Sequence, residues 1–233
     1  MRLAVTRPRP DGERTAAALR ARGHDVLLAP LLQLEPVAAD LSGDWAGVVV
    51  TSANALRATD GKLGALLSLP LYAVGAHSAE AGRDTGFATV HTAEGDARAL
   101  TRLVASEAGK LRGPLVHLAA EQRAADLGAE LRSHGVTVTT RVVYRMLALP
   151  LPLELSDALR AGRLDAVLHY SKRSAETFLA GASVTGLNAQ ALGIRHLCLS
   201  EQVAAPLAAA GADNVAVAGM PDESAMISLI GSA

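Results

Sequence analysis

The 233-residue sequence contains a single cysteine, and this is the first of several informative absences. Cys198 alone cannot form an internal disulfide, which fits a reducing compartment. The seven histidines show no HxxxH spacing and there is no CxxC pair, so the sequence predicts no metal site. The polar stretch RPRPDGER begins directly after Thr6, which leaves no room for the apolar core of a signal peptide. We therefore expect a cytoplasmic protein.

The chain also lacks an excess of either charge. A formal charge of −1 and a pI of about 6.7 argue against nucleic acid and acidic membrane surfaces as partners. The uncharged run 63–79 is interrupted by Pro70, Gly75 and His77, so it does not predict a membrane span.

Two kinds of catalytic motif are missing as well. The stretch VGAHSAEAG has neither P-loop nor dinucleotide spacing, which disfavours a nucleotide-using transferase. Residue order alone assembles no Ser-His-Asp or Cys-His set. Any chemistry must therefore come from a less familiar arrangement.

What the sequence does contain is a regular alternation of short apolar runs with Ala-, Arg- and Glu-rich stretches of helical period. Such runs are typical of strands buried on both faces, and helices between them imply parallel sheets, so we predict an α/β protein. The runs are RLAV (2–5), DVLLA (25–29), AGVVV (46–50), PLYAV (70–74), PLVHL (114–118), VTVTTRVVY (136–144), DAVLHY (165–170), HLCL (196–199) and NVAVA (214–218).

The order of these elements occurs twice. When Ser52 in VVVTSANAL is aligned with Ser171 in AVLHYSKRS, strand falls on strand, and 72–86 then resembles 197–211. The remaining segments pair in the same way, because the stretch that starts at Arg2 resembles the one that starts at Pro114. The repeat predicts two similar doubly wound parallel-sheet domains.

Two extended, proline-bearing stretches, LLQLEPVAADLSGD and YRMLALPLPLEL, separate the repeated parts. Proline lacks an N–H group and biases its predecessor toward extended geometry, so both stretches are interpreted as side-by-side crossings between domains. This predicts an inner domain of 38–144, a split outer domain of 1–34 plus 148–233, and a two-stranded linker that forms a hinge beside a cleft.

Polar side chains follow most of the predicted strands. The carboxyl ends of parallel strands and the helix N-termini beside them attract anions, so we expect the cleft to bind them. Serine and asparagine at such places are also ordinary helix caps, and this alternative stays open. Asp96 and Asp222 are interpreted as caps only. The candidates are Arg7, Arg9, Ser52, Asn54, Ser78, Gln122, Arg123, Ser171, Lys172, Ser174 and Ser200.

Tyr144 ends the strand RVVY, which opens the second crossing. Its phenol could point into the cleft as a donor. It could equally be a half-buried, amphipathic part of the linker.

Several segments resemble the uroporphyrinogen-III synthase family in their order and spacing. The resemblance extends from Arg2 to Ile230 and implies a two-domain α/β hydro-lyase of tetrapyrrole biosynthesis that uses no metal or organic cofactor. Such an enzyme closes the linear tetrapyrrole hydroxymethylbilane into a ring with loss of water and inverts the last pyrrole ring. We expect a monomer, since a hinge requires no partner. The segments are LAVTRPRPDGERTAAALRARGHDVLLAPLLQLEP, VVVTSANAL, AVGAHSAEAG, ALTRLV, LGAELRSHGVTVTTRVVY and DESAMISLI.

The resemblance also implies roles for individual residues. Tyr144 falls on the family's strand-end tyrosine and would assist departure of the hydroxyl group. Two segments depart from the family pattern: SEQVA has Val203 where the family has a hydroxyl, and LAAEQR lacks the RG pair. The positions implied for substrate binding are Arg7, Ser52, Ser78, Arg123, Ser171 and Lys172.

A second functional class stays open. Two repeated α/β lobes joined by a double crossing also suit a hinge-closing binding or sensor protein without catalysis. Incubation with hydroxymethylbilane separates the two classes.

Overall fold

The computed structural model describes residues 1–122 and 127–231, and its chain divides into two compact units. The split unit comprises Met1–Gln33 and Leu147–Ala233, and the continuous unit comprises Leu34–Met146. Each unit is built on one sheet, with most of its strands followed by a helix.

The split unit has a five-stranded sheet in the order β11-β10-β9-β1-β2, and the neighbouring strands are parallel. The strands are β1 (Arg2–Val5), β2 (Asp25–Leu28), β9 (Ala166–His169), β10 (Arg195–Cys198) and β11 (Val215–Val217). The helices are α1 (Asp11–Arg20), α6 (Leu153–Arg160), α7 (Lys172–Val184), α8 (Asn188–Gly193), α9 (Glu201–Ala209) and α10 (Glu223–Ser228).

The second sheet has six strands in the order β3-β8-β7-β4-β5-β6, and the five strands from β8 to β6 pair in parallel. The strands are β3 (Leu32–Pro36), β4 (Gly47–Val50), β5 (Leu71–Val74), β6 (Val90–Ala93), β7 (Leu115–Ala120) and β8 (Val138–Ala148). The helices are α2 (Ala53–Ala58), α3 (Gly75–Thr85), α4 (Ala97–Glu107) and α5 (Leu127–Arg132).

The two sheets have the same strand order once the repeat is taken into account. The order β2-β1-β9-β10-β11 in one matches β8-β7-β4-β5-β6 in the other. In each sheet, the first two strands of one repeat lie beside the three strands of the other repeat. The strand order reverses where these groups meet, between β1 and β9 in one sheet and between β7 and β4 in the other. This confirms the predicted α/β class with two parallel-sheet domains, and it locates the two edges where such sheets bind ligands.

Burial on both faces explains why the strands contain uninterrupted apolar residues. All four residues of β4 and of β9 are buried. In the split unit Phe178 lies in the core on one face of the sheet and Met226 in the core on the other. In the continuous unit Leu118 and Leu100 occupy the corresponding two cores. An alternating pattern would have left one face in water.

The chain passes between the units twice, within β3 and near the end of β8, and these strands are neighbours. The N–H of Val37 donates to the carbonyl of Val143 over 2.8 Å, and the N–H of Leu149 donates to that of Leu31 over 2.9 Å. Residue numbers rise on one strand as they fall on the other, so the pair is antiparallel. The predicted crossings therefore form a two-stranded linker.

A pair of histidines is buried in the core of the split unit. His169 and His196 are fully buried, and Nε2 of His169 lies 3.1 Å from Nδ1 of His196. Nε2 of His196 lies 2.9 Å from the carbonyl oxygen of Ala191, so it carries the hydrogen and Nδ1 accepts from His169. Burial lowers the pKa of both rings, that of His196 to about 4. Both histidines are therefore neutral at pH 7.

We predict that acidification from pH 7 to pH 5 lowers the melting temperature. In the unfolded chain a histidine has a pKa of about 6.5 and takes up a proton in this range, whereas the buried pair in the folded protein does not. The stability that the pair contributes above pH 6.5 is therefore lost as the pH falls toward 4. The loss is at most about 1.4 kcal/mol per pH unit for each histidine.

The variant His196→Gln keeps a donor and an acceptor but removes one titrating group. Its melting temperature should depend less on pH than that of the wild type, as measured by circular dichroism. The control His134→Gln changes an exposed histidine and should keep the full dependence. An unchanged pH dependence in His196→Gln would contradict the assignment.

Candidate functional site

Tyr144 and Ser52 meet at the carboxyl edge of the sheet in the continuous unit. Tyr144 lies on β8 beside Ala120 of β7, and Ser52 lies two residues after the end of β4, the next strand in the sheet. The side chain of Ser52 lies close enough to the phenol of Tyr144 to lower its pKa. The contact therefore spans the point where the strand order of this sheet reverses.

Burial determines the protonation state of Tyr144. Only 6% of the residue is exposed, and this burial raises the pKa of the phenol, while the nearby side chain of Ser52 opposes the rise. The phenol is thus protonated at neutral pH and can serve as a hydrogen-bond donor. Its ring packs with the apolar core around Leu118, which holds the hydroxyl in place.

Ser52 is also the N-cap of α2. Its Oγ accepts a hydrogen bond from the backbone N–H of Asn54 over 3.2 Å, and its backbone is extended, as caps require. The side chain of Ser52 therefore both caps α2 and lies beside Tyr144. Ser171 caps α7 in the split unit in the same way, through the N–H of Ser174 at 3.1 Å.

A guanidinium that sequence reasoning missed bridges the starts of α2 and α3. Nη1 of Arg57 donates to Oδ1 of Asn54 over 2.9 Å, and Nη2 lies 3.2 Å from Nε2 of His77. Ser78 is the next residue along α3 and is buried, with 6% exposed. Polar groups thus line the ends of β8, β4 and β5 in the continuous unit.

The corresponding edge of the split unit contains a network of charged and hydroxyl groups. Nη1 of Arg7 donates to Oε2 of Glu223 over 2.8 Å, and Nη2 lies 3.4 Å from Oδ2 of Asp11. Thr15 and Tyr170 donate their hydroxyls to Oε1 of Glu223 over 2.7 and 3.1 Å. Burial is the main reason that the pKa of Tyr170 is raised, and Glu223 adds to it.

Several predicted positions in the split unit are more peripheral. Lys172 begins α7, has a 62% exposed side chain, and lies 3.7 Å from Glu176. Ser200 begins α9 without a side-chain cap bond. Val203, where the family pattern has a hydroxyl, is packed in the apolar core.

The structure thus brings Ser52 and Tyr144 into contact and engages Arg7 with the protein's own carboxylates. Arg123 lies outside the described residues. Neither Arg57 nor Glu223 was among the predicted residues. Arg57 contacts His77, which follows another strand, and Glu223 is 216 positions from Arg7, so no local motif identifies these two contacts.

Residues 1–122 and 127–231 contain no group of three or more histidine, cysteine or acidic side chains placed to hold a metal ion. They also contain no helix with the length and apolar character that a membrane crossing requires.

Two open sheets with matching orders of parallel strands, each with polar groups where that order reverses, define a duplicated α/β protein. The chain belongs to the uroporphyrinogen-III synthase family, because the model of the family described as uroporphyrinogen-III synthase HemD matches residues 13–228. No curated protein matches the chain.

Solved structures show the same fold. The uroporphyrinogen-III synthetase of Helicobacter pylori is similar with a TM-score of 0.68 and 17% identity, over 100% of this chain and 99% of that one. A mutant uroporphyrinogen III synthase of Thermus thermophilus is similar with a TM-score of 0.57 and 20% identity, over 100% of this chain and 98% of that one. At these identities the likeness establishes the fold alone.

We predict that Ser52→Ala raises the pKa of Tyr144 further, because it removes the hydroxyl that opposes the effect of burial. Loss of the cap should also destabilise the protein by about 1 kcal/mol. The matched control Ser171→Ala removes the corresponding cap in the other unit and should leave Tyr144 unchanged. Titration of ¹³Cζ-labelled tyrosine by NMR measures the pKa, and an equal pKa in both variants would refute the contact.

Proposed function

We propose that this protein is a uroporphyrinogen-III synthase, which converts hydroxymethylbilane into the cyclic type III isomer. The observation that carries the proposal is the family match over residues 13–228. In the reaction the carbon–oxygen bond breaks, and the hydroxyl takes up a proton and leaves as water. The freed carbon bonds to the α-carbon of the last pyrrole that already carries the bridge to its neighbour. That older carbon–carbon bond then breaks and re-forms at the other α-carbon, which loses a proton, so the last pyrrole is inverted.

Tyr144 is the proposed catalytic residue. A departing hydroxyl must gain a proton or a strong hydrogen bond, and a protonated phenol is a suitable donor. Burial raises the pKa of Tyr144 and keeps the phenol protonated, and Ser52 orients it. A tyrosine held in this way would donate to the leaving oxygen without a separate base.

The main task of the protein is geometric. Hydroxymethylbilane loses its hydroxyl readily and would cyclise unaided to the wrong isomer, so the enzyme must impose one conformation on a flexible chain. The substrate carries eight carboxylates, which need donors rather than bases. Hydroxyls and helix N-termini at the two sheet edges, together with basic side chains, are suited to this role.

The residues proposed to hold the substrate are Arg7, Ser52, Ser78, Arg123, Ser171 and Lys172. Ser52 also contacts Tyr144, so it would link binding to the catalytic donor. Lys172 is largely exposed and would contribute a long-range attraction to carboxylates rather than a buried contact.

The direct test is incubation of the purified protein with hydroxymethylbilane. We expect the type III isomer, identified by chromatography of the oxidised products. A product mixture with only the type I isomer would reject the enzyme function and favour a binding or sensor protein with the same two units.

A second prediction concerns Tyr144→Phe, which removes only the phenol oxygen. We expect kcat to fall about 100-fold with little change in KM, because a positioned proton donor acts chiefly in the transition state. At most one hydrogen bond is lost, so the free energy of unfolding should fall by about 1 kcal/mol. The melting temperature should therefore fall by only a few degrees.

The matched control is Tyr72→Phe. Tyr72 is equally buried in the same sheet, with 2% exposed, and stacks on His91 with ring centroids 4.9 Å apart. Its variant should retain wild-type turnover. Wild-type kcat in Tyr144→Phe would remove Tyr144 from the mechanism.

A further inference from the structure

The carboxylate of Glu223 occupies what is in effect a carboxylate-binding site. It accepts hydrogen bonds from three side chains: Arg7 at 2.8 Å, Thr15 at 2.7 Å and Tyr170 at 3.1 Å. A guanidinium and two hydroxyls on one carboxylate form the donor set that proteins use to bind carboxylate ligands. We refer to Arg7, Thr15 and Tyr170 together as the acid receptor.

The acid receptor lies where the fold favours a ligand. Arg7 and Tyr170 follow β1 and β9, which are adjacent at the point where the strand order of the split unit reverses. Open α/β sheets bind ligands outside the carboxyl ends of their strands at this kind of position. Glu223, in contrast, comes from the last helix of the chain.

The acid receptor is held together independently of Glu223. The guanidinium of Arg7 lies over the ring of Tyr170, with Cζ 4.6 Å from the centroid, and it also contacts Asp11. Thr15 is 2% exposed on α1, which fixes its position. Removal of Glu223 would therefore leave the three donors in place.

Glu223 can leave without unfolding its helix. Its side chain is 39% exposed and that of Arg7 23% exposed, so a solute can reach the pair. Met226 and Ile230, 0% and 5% exposed, anchor α10 in the core. Rotation of the Glu223 side chain alone is then enough to vacate the acid receptor.

We propose that Arg7, Thr15 and Tyr170 form a carboxylate subsite that Glu223 occupies in the free protein and yields to a carboxylate of the ligand. Glu223 is thus an internal competitor that weakens binding. The identity of the ligand as a tetrapyrrole polycarboxylate rests on the proposed function. The exchange itself requires only an incoming carboxylate that accepts the hydrogen bonds now accepted by Glu223.

The test uses uroporphyrin, a fluorescent octacarboxylate that does not react, so that binding is measured without turnover. Glu223→Gln removes the competing charge, and Glu223→Asp keeps the charge but shortens its reach by one methylene. We expect both variants to bind uroporphyrin about 3- to 10-fold more tightly than the wild type, as expected for a partly exposed charged pair.

Two controls separate exchange at the acid receptor from a general effect of charge. In the double variant Arg7→Gln, Glu223→Gln the gain in affinity should disappear. Glu154→Gln changes another acidic residue in the first turn of a helix of the same unit, one that lines a pocket with Arg2 and Asp25 at the opposite edge of the sheet. It should leave the affinity unchanged.

The proposal is overturned if Glu223→Gln and Glu223→Asp lower the melting temperature with no gain in affinity, which would make Glu223 purely structural. The proposal is also overturned if the double variant Arg7→Gln, Glu223→Gln keeps the gain in affinity for uroporphyrin. These outcomes are distinct from failure of the proposed function, which shows in the isomer assay of the wild type and does not enter the binding comparison.

Discussion

Parallel pairing of the strands is the constraint on which the rest of the structure depends. Because the strands from β8 to β6, and those of the split unit, run in one direction within each sheet, the polar residues after them collect at one edge. Helix N-termini lie at the same edge and add partial positive charge.

Duplication gave two such edges, and they have diverged. Ser52 and Ser171 remain helix caps at equivalent positions. Ser78 in the continuous unit corresponds to Val203 in the split unit, which is packed in the apolar core. At the edge of the continuous unit the phenol of Tyr144 lies beside Ser52, whereas at the edge of the split unit the phenol of Tyr170 and the guanidinium of Arg7 both bind Glu223. The proposed chemistry therefore lies in the continuous unit, and the proposed exchange of carboxylates lies in the split unit.

Local features of the fold could be predicted because their signals are local. Uninterrupted apolar runs such as that of β4 indicate burial on both faces, and the structure confirms the parallel sheets. Asp96 and Asp222 are helix caps, as their positions before helical stretches indicate, and accept from the N–H groups of Ala99 and Ala225. Arg7 shows where this reasoning ends, since its position after β1 indicates anion binding but does not identify the anion.

The sequence by itself determined the class of fold and the duplication, because hydrophobic period and repeated order can be read from neighbouring residues. Only the tertiary structure decided which polar side chains meet. Tyr144 reaches Ser52 because β8, β7 and β4 are adjacent in the sheet, and Arg7 meets Glu223 because α10 packs on the same apolar core as β1. These contacts join residues far apart in the chain, and they depend on the burial and packing of whole elements rather than on any local pattern.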